Sequence, residues 1–123
     1  MKLNLVLLIS AVYLGLFGLA MLISPASVGF GALDGSESTI VLHLLRIPAS
    51  MALGIAIMNF MARDAGPSKA LGAIVTGNMI GFTLAGILVL WATVDGGATV
   101  GYGLGVLDLL FAGAFFMNRK SAE

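Results

Sequence analysis

Cysteine is missing from this 123-residue chain, which excludes disulfides, thiol catalysis and vitamin-K-reductase-like redox chemistry together. Charge is nearly as scarce. Only 10% of residues are Asp, Glu, Lys or Arg, against about 25% in a typical soluble domain. So few charges cannot clothe a water-facing surface. The six basic residues balance the six acidic ones, and without a basic patch nucleic-acid binding has no support. One histidine and no cysteine leave no ligand set for zinc or di-iron chemistry, so no metal is expected. No G-x-S-x-G elbow, phosphate-cradling glycine loop or local His–carboxylate arrangement is present, so an enzyme is not expected. Gly101-Tyr102-Gly103-Leu104-Gly105 resembles a nucleotide fingerprint only superficially, because it follows no soluble strand.

What is present is hydrocarbon. Hydrophobic residues make up 59% of the chain, and the mean hydropathy is +1.08. Four apolar stretches, at about 3–23, 40–62, 70–91 and 98–117, fill almost all of it. Each has roughly the 20 residues that a helix needs to cross a ~30 Å hydrocarbon core. A secretory signal has an apolar core of about 7–15 residues, so the longer first stretch is read as a true membrane helix. The expected fold is all-α: a single domain over residues 1–123, a four-helix transmembrane bundle running up-down-up-down.

Orientation follows from the basic residues. Lys2, Arg63, Lys69, Arg119 and Lys120 lie on the side of the termini and of the second connection. Connections 24–39 and 93–97 carry only Asp34, Glu37 and Asp95. Both termini are therefore expected in the cytoplasm of a multi-pass protein of the bacterial inner membrane. Pro25 should stop the first helix, and Gly29, Gly31 and Gly35 should keep the following segment from being helical. Phe30 and Leu33 there are apolar enough to lie on the membrane surface. Asp34-Gly35-Ser36-Glu37 reads as a turn, with Ser36 or Ser38 capping the second helix. Ser68 should cap the third helix, and Asp95-Gly96-Gly97 should turn tightly into the fourth.

Two charges interrupt the apolar stretches. Arg46 and Asp108 lie at depths that differ by only ~6 Å at ~1.5 Å per residue. Either one alone at mid-membrane would cost at least ~2.5–3.5 kcal/mol, so they are expected to pair. The pair reads either as a clasp between the second and fourth helices or as a site for an anion, proton or cation. Asn59 and Asn78, with Ser50, read either as interhelical glue or as a polar track leading to those charges. His43 reads as a polar residue near the outer interface. Its alternative, a haem or chlorophyll ligand, would need a second subunit to complete a bis-histidine haem; otherwise no cofactor is expected. Pro48 should kink the second helix.

Small residues recur at helical spacing: Gly15 and Gly18, then Gly77 and Gly81, then Gly101 and Gly105. These read as helix-packing faces, any one of which could serve a partner subunit or a second copy. Leu45-Arg46 early in the second helix, the exit Asn59-Phe60-Met61-Ala62-Arg63, and Gly77-Asn78 give the layout a likeness. The chain resembles small four-span bacterial membrane proteins grouped with the DoxX-like families. That resemblance covers most of the chain and implies a setting, as membrane partners of other enzymes, but no reaction. The function expected is non-enzymatic: an accessory or structural subunit of an inner-membrane assembly, or a homo-oligomer, surrounded by lipid. The alternative is a small-solute or ion carrier working through Arg46 and Asp108.

Overall fold

The computed structural model describes residues 2–28 and 37–123. It is all-helical: α1 (Leu3–Ile23), α2 (Pro25–Val28), α3 (Thr39–Ala62), α4 (Lys69–Val94) and α5 (Val100–Asn118), with a 3-10 turn over Arg119–Ser121. Among the described residues, four helices are long and apolar enough to cross a membrane. Phe30, Leu33, Asp34, Gly35 and Ser36 lie outside the described residues. Pro25 ends α1 as expected and also opens α2, a single turn that stops at Val28; Gly29 and Gly31 too lie outside the described residues. A proline in the first turn loses nothing by lacking an amide hydrogen, because no partner exists for it there.

Helix ends obey local chemistry. The Ser38 side chain accepts from the Val41 amide, starting α3, and Ser68 accepts from the Leu71 amide, starting α4. Gly96 turns the chain between α4 and α5 at φ +113°, a value that only glycine adopts without strain. Helix α3 runs without a break through Pro48.

The bundle is two antiparallel hairpins. In the first, α1 meets α3 through small residues: a Cβ added at Gly18 would lie 2.9 Å from the Ala49 carbonyl oxygen. Gly15 sits one turn away, over Ala56. In the second, α4 meets α5 in the same way. A Cβ at Gly86 would fall 2.9 Å from the Gly105 oxygen, and one at Gly105 would fall 3.0 Å from the Gly86 oxygen. Gly101 abuts Thr93 further along the same seam. Membrane helices lack a hydrophobic drive toward one another, so such backbone approach is a main source of their adhesion.

The hairpins join mainly through α1 and α5. Tyr13, Phe82, Phe111 and Phe115 form a chain of rings between α1, α4 and α5, with centroids 4.9–6.2 Å apart. Val6, Leu7, Val75 and Phe115 are fully buried around it. By contrast, α3 and α4 scarcely touch along most of their length. The outward faces, including Leu16, Ile23, Met61, Leu110 and Met117, are exposed and apolar, as a lipid-facing surface requires.

Candidate functional site

The gap between α3 and α4 is a cleft of about 470 Å³. All four long helices contribute to its wall, and almost every contribution is apolar. One lip is Met51, Ile55 and Met58 of α3, and the other is Gly77 and Gly81 of α4. These lip residues are exposed, so the cleft opens sideways. From Met58 to Pro48 it extends ten residues along α3, or ~15 Å at ~1.5 Å per residue. Deep apolar sites with few polar groups are the usual form of a small-molecule pocket.

Gly77 and Gly81 are central to it. Both were expected to pack a neighbouring helix, and neither does: a Cβ added at either would meet nothing within 4 Å. The hairpin partner of α4 is α5, which packs on the opposite face through Gly86. The stripe that reads as a contact surface in the sequence is thus a bare wall of the cleft.

Two polar constellations border the cleft. At one end, Asn59 and Asn78 exchange hydrogen bonds, Nδ2 of each donating to Oδ1 of the other at 2.9 and 2.8 Å. Asn59 Nδ2 also donates to the Ser10 hydroxyl, and Asn78 Nδ2 to the Ile74 carbonyl. Every amide hydrogen is thereby used. Of the two earlier readings, interhelical glue describes this arrangement, which ties α1, α3 and α4 together. Ser50 takes no part in it, contrary to the polar-track reading. It is exposed and donates to the Ile47 carbonyl of its own helix.

The second constellation is Asp108 and Tyr13. Asp108 is only 5% exposed, and the Tyr13 hydroxyl donates to its Oδ1 at 3.0 Å. Tyr13 lies at the middle of α1, held by stacking on Phe111. Sequence reasoning overlooked it, although a signal was there. Tyrosine prefers the membrane interface, and one at mid-span needs a buried partner for its hydroxyl.

The expected pairing of Arg46 with Asp108 is not formed. Among the described residues the ion pairs are Arg63–Asp64 and Arg119–Glu123. Arg46 instead donates from Nε to the Leu22 carbonyl at 3.1 Å and meets His43 Nδ1 at 3.0 Å. The reason is helix order. Depth arithmetic treats α3 and α5 as neighbours, but α1 lies against both and takes a polar contact from each. Leu22 is in the last turn of α1, whose carbonyls have no partner within the helix and whose dipole attracts a cation. Arginine can only donate, so His43 Nδ1 is the acceptor, and this nitrogen is occupied within the chain. Among the described residues no group of three or more His, Cys, Asp or Glu side chains converges as a metal site would require.

No protein-family model, curated protein or solved structure matches this chain.

Proposed function

We propose that this chain is a non-enzymatic, multi-pass protein of the bacterial inner membrane that binds a small apolar molecule in the cleft between its hairpins. The observation that carries this reading is the pair Gly77 and Gly81, glycines at helical spacing on a wall that no other described part of the chain covers. A cleft of about 470 Å³ holds roughly fifteen water-sized groups at ~30 Å³ each. The basic residues favour cytoplasmic termini. That orientation puts the Asn59–Asn78 clasp toward the cytoplasm and the open cleft across the middle of the bilayer.

Native mass spectrometry of the whole chain released from lipid nanodiscs tests this. Wild-type protein should retain a discrete small molecule that Gly81→Leu, which fills the cleft, releases. A bare chain in both cases would contradict the reading.

A second reading keeps the chain as an accessory subunit or a homo-oligomer. The same bare stripe favours it, since small residues also admit a helix from a partner or a second copy. The likeness to DoxX-like proteins suits that setting. Gentle extraction yielding a lone monomer would count against it. A carrier working through a joint Arg46–Asp108 site loses its motivation, because the two groups hold separate partners on α1, Leu22 and Tyr13.

A further inference from the structure

We infer that the occupant of the cleft is a cationic amphiphile, an alkylammonium head on an apolar body, with the Asp108 carboxylate holding the head. This rests on the reading of the cleft as a small-molecule site and deepens it.

Asp108 is the one acidic residue within the four long helices. It lines the cleft, yet no Lys, Arg or His lines it with it. Arg46, the one basic residue deep enough to neutralise it, is committed to Leu22 and His43. A carboxylate in this position is costly unless a cation joins it. A carboxylate offers about four acceptor positions, and Tyr13 uses one at Oδ1. Asn78, also in the wall, has spent both amide hydrogens on internal partners, and its oxygen already accepts from Asn59. Asp108 is therefore where a ligand finds hydrogen-bonding capacity, and it accepts. A head group must donate, and a positive one gains Coulomb attraction in a low-dielectric site as well. An anionic head of the same size would be repelled.

The tail follows from the rest of the wall. Met51, Ile55 and Phe17 face it with apolar surface, and the two methionines among the lips, Met51 and Met58, adapt to irregular shapes. The gap between α3 and α4 gives a chain a path in from the bilayer without crossing the polar interface.

Tyr13 is a positioning residue. Its hydroxyl fixes one carboxylate oxygen, Oδ1, at 3.0 Å. Tyr13→Phe should weaken binding less than Asp108→Asn, while leaving the preference for a cationic head intact.

The test uses the full chain in nanodiscs and two photoreactive probes of equal length. One is a diazirine-bearing alkylamine, and the other is the corresponding fatty acid. Light should attach the amine to the cleft lips, and excess unlabelled alkylamine should compete it away. The fatty acid should label at least tenfold less. Asp108→Asn, which keeps an acceptor for Tyr13, should cut amine labelling by about tenfold. Gly81→Leu should abolish it with Asp108 intact. If both probes label equally and Asp108→Asn changes neither, while Gly81→Leu blocks both, the head-group assignment is overturned and the cleft reading survives. If Gly81→Leu leaves labelling unchanged, the cleft reading itself fails, and this inference with it.

Discussion

Replacing Asn59 or Asn78 by leucine strands the other amide among apolar side chains. Each is at most 5% exposed, and each depends on the other for two hydrogen bonds. Interhelical polar contacts in membranes contribute ~0.6–2 kcal/mol, so either single substitution should lower stability by about that much. Replacing both should recover most of the loss, because no unsatisfied group remains. Equilibrium unfolding in mixed micelles measures all three variants. Equal losses from the singles followed by a fully additive double would show that the two amides do not pair.

At the same scale, Arg46 and Asp108 should be energetically independent. A double-mutant cycle with Arg46→Leu and Asp108→Asn should be additive within ~0.3–0.5 kcal/mol, as for sites without shared partners. A cycle on Tyr13→Phe and Asp108→Asn should not be. The sequence shows that both charges lie in apolar helices and that each needs a partner. Choosing the partner requires knowing which helices are neighbours, and periodicity does not carry that. Tyr13 was hidden for the same reason, since an aromatic residue in an apolar run raises no alarm until its hydroxyl is counted.

At the scale of elements, the boundaries were nearly all legible because they depend on short-range chemistry. Serines at 38 and 68 cap helices, and Gly96 turns one hairpin. Which small-residue stripe packs was not legible. Gly18 sits against a backbone oxygen, whereas a Cβ at Gly77 or Gly81 would meet nothing within 4 Å, although all three fall in small-residue stripes; Gly86, which packs against α5, has no such stripe to announce it. The absence of native cysteine makes cross-linking decisive here. Gly15→Cys with Ala56→Cys, whose Cβ atoms would lie 3.8 Å apart, should oxidise readily to a disulfide within the first hairpin. Met51→Cys with Gly81→Cys, facing across the cleft, should not, since a Cβ at Gly81 meets nothing within 4 Å. Ready formation of that second disulfide would mean that α3 and α4 close on each other.

At the scale of the molecule, four apolar helices were evident from composition and length, and their division into two hairpins was not. The division follows from where backbones can approach. Each hairpin has its own glycine seam, and the two are held together by one ring cluster, the Tyr13–Asp108 hydrogen bond and one amide clasp. The remaining interface is left open as a cleft with a single carboxylate in its wall. Spin labels on single cysteines at positions 81 and 90, the latter replacing Leu90 where it meets Gly105 of α5, in nanodiscs holding one copy of the chain, test this most directly. The label at 81 should be mobile and readily relaxed by oxygen dissolved in the bilayer, and the label at 90 immobilised and shielded. Equal shielding at both positions would mean that α4 is covered on both faces and that no cleft exists.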